Sequence, residues 1–102
     1  MSNIRHAQMR LVSRILEGDG KASPSQRRAA FNNGGLAEPA GTLVNLVAKR
    51  AYRIVDADIA EAKDSGLSED QIFEIVVCAA VGEATRQYDT ALASLLATTG
   101  KG

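Results

Sequence analysis

The stretch Gly66-Leu67-Ser68-Glu69-Asp70-Gln71-Ile72, leading into the apolar segment Ile75-Val76-Val77-Cys78-Ala79-Ala80-Val81, decides the fold class. Ser68 followed three residues later by Gln71 is a capping box. The serine hydroxyl accepts from the backbone of the third helical residue and the glutamine side chain accepts from the serine N–H, so two donors orphaned at a helix start are satisfied. Leu67 and Ile72 are placed to staple the entry of the chain, and Glu69 and Asp70 meet the positive end of the helix dipole. From Ile72 to Val81 only Glu74 is polar. A Val/Ile-rich run inside so clearly capped a helical pattern has the wrong length for a strand, and a helix apolar nearly all round is a central, buried one. Its continuation through Ala84, Tyr88, Ala91, Leu92 and Leu95 narrows to one stripe, with fraying expected after about Ala97.

Upstream, the pattern is helical throughout. Ile4, Leu11, Val12, Ile15 and Leu16 recur at helical spacing with Arg5, Arg10 and Arg14 on the other side, and Gly18-Asp19-Gly20 ends the run. Ser23-Pro24 supplies an N-cap and a proline at the first helical position, where a missing N–H does no harm. Asn32-Asn33-Gly34-Gly35 supplies left-handed stop residues, so a short helix over about Pro24–Phe31 follows. Glu38-Pro39 opens a third helix, in which Leu43, Leu46, Val47 and Ala51 share a face while Lys49, Arg50 and Arg53 lie outside it. Either Asp56 caps a separate helix carrying Ile59 and Ala62, or the two helices run on with a kink; Gly66 closes the segment in both cases. The expectation is an all-α bundle of about five helices in a single domain over residues 1–102.

With 102 residues and aromatics at only 4%, the core must be built from Ala, Val, Ile and Leu. A chain this small removes only about two-thirds of its unfolded surface from water, which favours oligomerisation. The net charge is zero, but residues 1–50 carry eight basic and three acidic side chains and residues 51–102 carry four and nine, giving +5 and −5. Those halves attract across the fold or between subunits. Neutrality overall argues against nonspecific nucleic-acid binding and a polybasic membrane anchor. The longest apolar stretch is far too short to span a bilayer, which takes roughly 20 residues. One cysteine allows no internal disulfide and the opening Met-Ser-Asn-Ile-Arg lacks the apolar core of a signal peptide, so a cytoplasmic location is expected.

Read as Ala57-Asp58-x3-Ala62-x3-Gly66-Leu67-Ser68-x3-Ile72, the central passage resembles the signature of the carboxymuconolactone decarboxylase/AhpD-like family, which reads Cys-x-x-Cys-x-x-Ala-His before the same alanine, glycine and serine spacing. The resemblance spans residues 38–96, is best at 57–72, and leaves 1–36 as an N-terminal helical extension. In that family a cysteine pair at a helix start cycles between dithiol and disulfide, with a histidine one turn along and an upstream glutamate relaying protons. In this chain the cysteine positions are Ala51 and Ile54, and the histidine position is Asp58. Aligning Leu43–Ala48 with the family's apolar run puts Thr42 where the glutamate is expected, with Glu38 nearby but out of register. The resemblance therefore implies an AhpD-like helical bundle without its redox centre and without a cofactor. It would act as a homo-oligomer that binds a small apolar or carboxylated molecule, or a protein partner, in a helix-lined cleft.

Two further readings stay open. A non-redox acid/base enzyme of the decarboxylase branch would use Asp58, Glu83, Arg86 and Tyr88 to move protons and hold an anion. A structural assembly subunit would use none of them. Asp58 has a plainer explanation as an acid at a helix start, and Glu83 has pairing distance to Arg86 and Gln87. Cys78 lies in the apolar run, where a thiol is usually an inert small hydrophobe with a raised pKa, so thiol peroxidase activity through it is the least favoured activity. Asp56, Asp58 and Glu61 lack the histidine and the spacing of a known metal site, and His6 has no recognisable partner and is expected on the surface. The turn after Ala62 also matches a DNA-binding helix-turn-helix. Its second helix begins Glu69-Asp70-Gln71, however, and those carboxylates would repel phosphate.

Overall fold

The computed structural model describes residues 2–99, whose helices are α1 (Ser2–Glu17), α2 (Pro24–Asn32), α3 (Ala40–Arg50), α4 (Asp56–Asp64) and α5 (Glu69–Thr99), with a 3₁₀ turn at Ala51–Arg53. No strand occurs among the described residues. The side chain of Ile4 and the residues after Thr99 lie outside the described part, so their expected roles are not placed.

Both capping signals operate. Ser68 Oγ accepts from Gln71 N at 3.1 Å while Gln71 Oε1 accepts from Ser68 N at 2.8 Å. Ser23 and Gln26 form the same reciprocal pair at the start of α2, both bonds at 3.0 Å, a second box that the Ser23-Pro24 reading did not include. Asn33 ends α2 in the left-handed region at φ 54. The question left open at Asp56 resolves to two helices. The chain leaves α3 through the 3₁₀ turn and an extended Ile54-Val55, so Ala51 is exposed in the turn instead of joining the apolar face of α3. That face is Ala40, Leu43 and Val44, with Val47 beside it. Asp56 is the first residue of α4 and does not cap it. The cap acceptor is Asp58, whose Oδ2 takes the Val55 N–H at 2.9 Å.

The core is made of small residues, as the composition requires. One cluster joins Ala22, Ala30, Ala40, Val44, Ile75, Cys78 and Ala79, and a second joins Leu43, Ala62 and Ile72, with Leu67, Val47 and Ile59 packed against it. α5 is common to both, because α2 and α3 lie along it and α1 and α4 flank it. Four helices cover only part of its circumference. Ile72, Ile75, Cys78, Ala79 and Gly82 are buried, while Phe73 is 68% exposed. The expectation of an all-round buried helix is thus corrected to a helix buried along one side. Ala84, Ala91 and Leu95 lie on the uncovered side and do not continue the buried face, and α5 is helical through Thr99, beyond the expected end.

The connection between α1 and α2 is held from two directions. Buried Arg27 donates to the carbonyls of Ile15 at 3.2 Å and Gly18 at 2.6 Å, satisfying acceptors that a helix end leaves open. Glu74, the one polar residue of the apolar run, accepts from Lys21 N at 2.9 Å and Ala22 N at 2.7 Å. The opposed charges of the two halves meet within the fold: Arg5 pairs with Asp89 at 2.7 Å and Lys49 with Glu83 at 3.1 Å. No helix is long and apolar enough to cross a membrane among the described residues.

Candidate functional site

Thr42 faces outward from the first turn of α3 and Asp58 from the first turn of α4, and both line one notch of about 250 Å³ with Glu38, Pro39, Leu43 and Glu61. The two positions that the resemblance pairs as glutamate and histidine therefore come together, the fifteen residues between them having doubled the chain back through the rest of α3 and its exit turn. Ile54, one of the cysteine positions, packs behind the notch in the cluster of Leu43, Ala62 and Ile72, whereas Ala51 points to solvent.

Glu38, Thr42 and Asp58 are already engaged in hydrogen bonds. Glu38 Oε1 accepts from Thr42 N at 2.8 Å and from Thr42 Oγ1 at 2.7 Å, closing the first turn of α3. The Thr42 hydroxyl, followed by its N–H, holds the Glu38 carboxyl below the ordinary carboxylate range. Asp58 is half-buried and spends one oxygen on the Val55 N–H. Three carboxylates and no cation line the notch, which makes its potential negative. Leu43 and Pro39 give it an apolar floor.

The remaining candidates do not join Asp58. Glu83 and Arg86 meet on the side of α5 that faces α2 and α3. Glu83 Oε1 accepts from Lys49 Nζ and Arg86 Nη2, both at 3.1 Å, Oε2 accepts from Gln87 Nε2 at 3.1 Å, and Arg86 Nη1 donates to the Phe31 carbonyl at 2.6 Å. Lys49 and then Arg86 and Gln87 keep the Glu83 carboxyl below its ordinary range. This network ties three helices together and leaves little bonding capacity for a substrate. Tyr88 lies toward α1, where it adds to the dominant effect of Asp89 in raising the Arg5 guanidinium. Cys78 is buried with Sγ 3.8 Å from the Ile15 carbonyl, and burial pushes its thiol up. His6 is exposed. Among the described residues no three histidine, cysteine or carboxylate side chains gather as metal ligands would.

Glu38 and Glu61 complete the notch, although the sequence set Glu38 aside as out of register and weighed Glu61 only as a metal ligand with Asp56 and Asp58. Glu38 had a local signal, an acid four residues before Thr42 across a proline. Glu61 had none, because its place on the notch depends on the angle between α3 and α4. Comparison of the chain with protein-family models, characterised proteins and solved structures finds no match.

Proposed function

We propose that this protein works by binding and not by catalysis, as a redox-silent relative of the carboxymuconolactone decarboxylase/AhpD-like proteins that self-associates in the cytoplasm and takes a small molecule in the notch between α3 and α4. The observation that carries this reading is the convergence of Thr42 and Asp58 on one notch in which the bonds of Glu38, Thr42 and Asp58 close the first turns of α3 and α4. The cleft is kept while the chemistry of the two positions is replaced. The lining then narrows the ligand. A carboxylated molecule would meet Glu38, Asp58 and Glu61, so a small amine with a short apolar part, resting on Leu43 and Pro39, fits the chemistry better.

Titration with butylamine, followed by NMR, is expected to move the amide signals of Thr42, Leu43 and Asp58, with butyrate moving none of them. Equal shifts with both probes, or shifts confined to other helices, would overturn the ligand class. An acid/base role for Asp58 is the second reading, favoured by its half-buried place beside Leu43. It requires that Asp58→Asn abolish a turnover while leaving amine affinity and stability nearly intact. On the binding reading the same change weakens amine binding and lowers stability by at most about 1 kcal/mol.

A further inference from the structure

The side of α5 turned away from α2 and α3 carries Phe73, Val77, Ala80, Ala84, Tyr88, Ala91 and Leu95, at steps of four, three, four, four, three and four residues, with Phe73, Val77 and Tyr88 bordering α1. A repeat of eleven residues in three turns stays close to the natural pitch, so the row runs along the helix without drifting off the face. Phe73 and Leu95 are 68% and 57% exposed, the three alanines are exposed, and Val77 and Tyr88 are half-buried. No charged residue interrupts the row.

We propose that this row is the interface between two copies of the chain, whose α5 helices pack antiparallel about a two-fold axis through Ala84. The inference rests on the self-association proposed above and narrows it to one face and one geometry. The row is its own complement in this arrangement. Counting outward from Ala84 in opposite directions, Ala80 meets Tyr88, Val77 meets Ala91 and Phe73 meets Leu95, so each residue of the row falls on another member of it. In the inner layers a small side chain faces a larger one, and Ala84 faces itself. That is what an isologous contact requires: one patch that serves both partners. A protein of unrelated sequence would have no reason to match this mirror order.

The area also fits. Ala84 is the midpoint of Glu69–Thr99, so the two helices overlap along their full length. At a rise of 1.5 Å per residue and a width of roughly 10–12 Å, a helix of this length presents about 500 Å² to its neighbour, or about 1,000 Å² for the pair, the lower end of the range for a specific interface. Alanine at the centre lets the axes come close. Nor does the contact strand buried charge, since Glu83 and Arg86 are turned to α2 and α3 and are paired there.

Light scattering on the full chain at micromolar concentration is expected to return twice the chain mass of 10.8 kDa. Ala84→Glu should halve that mass with unchanged helical circular dichroism, because the position is exposed within one copy. Ala60→Glu, at an exposed position of α4, should leave the larger mass in place. In a Cys78→Ala background, Ala84→Cys should oxidise to a covalent dimer, since Cα atoms facing each other across closely packed helices lie within disulfide reach. A wild-type chain of single mass would overturn both self-association and this interface. An oligomer that survives Ala84→Glu and gives no cross-link at position 84 would leave self-association standing and overturn this face as its seat. Loss of the larger mass in both glutamate variants would overturn the assignment too, because added charge rather than position would then be the cause.

Discussion

Gly82 lies in the middle of α5, where glycine costs a helix about 1 kcal/mol relative to alanine. The reason it stands there is the C-terminal end of α2: a Cβ at position 82 would fall on the Phe31 carbonyl oxygen and close to its carbon and Cα. Backbone cannot yield as a flexible side chain can, so Gly82→Ala should force α2 off α5 and destabilise the fold by about 1–3 kcal/mol despite the better helix propensity. A raised denaturation midpoint in urea would show that the two helices are farther apart than this. Glu74 is a second residue whose role is set by a distant partner. The Lys21 N–H most of all, then the Ala22 N–H and the charge of Arg27, hold its carboxyl below the ordinary range in spite of burial. A carboxyl lowered by folding contributes stability that is complete above its ordinary value near 4.5 and is lost as the pH falls through the lowered folded-state value. Glu74→Gln should therefore cost about 1–2 kcal/mol at neutral pH. The gap to wild type should close on acidification through that window, and a gap independent of pH would show that the carboxylate charge is irrelevant to the loop.

Helix boundaries divide between those written locally and those written in the turn geometry. Ser68 and Gln71 are three residues apart and complete their box without help from the rest of the chain, so α5 starts where its sequence places it. Ser68→Ala should cost on the order of 1 kcal/mol, read as a lowered midpoint of denaturation. The start of α4 was less legible because its N-cap residue, Val55, has no side-chain acceptor and the bond comes back from Asp58 at the third helical position. An acid at position 56 looked like the cap only because acids are common at caps and in first turns alike. The same distinction explains Arg27 and Glu74. Their partners are the ends of other elements, Gly18 and Lys21 among them, and no periodicity within α2 or α5 points to those. Whether Asp58 faces a notch was not legible in the sequence, because both the notch and its acidic lining depend on how α3 and α4 meet.

At the scale of the molecule, α5 sets the shape. The chain measures 55 × 29 × 19 Å with a radius of gyration of 15.5 Å, against about 13 Å for a compact domain of this size. Its small-residue core explains why: four short helices built largely on alanine and valine contacts close around one side of a 31-residue helix and stop short of both its far face and its last turns. Periodicity identified α5 as the apolar centre of the fold but could not say how much of it the remaining chain would cover, because coverage depends on crossing angles among all the helices. The cost of that geometry is open to measurement at the end of α5, where residues 93–98 are exposed within one copy. Backbone hydrogen bonds in exposed terminal turns open with little free energy, so these amides should exchange fast in Ala84→Glu. In the wild-type chain an antiparallel partner would lay its first turns over the same segment. Exchange there should then slow by at least tenfold, while amides near Ile75 and Ala79, buried in both states, should change far less. Equal exchange of residues 93–98 in the two proteins would mean that the end of α5 stays uncovered when copies associate, and that the two-fold axis does not pass through Ala84.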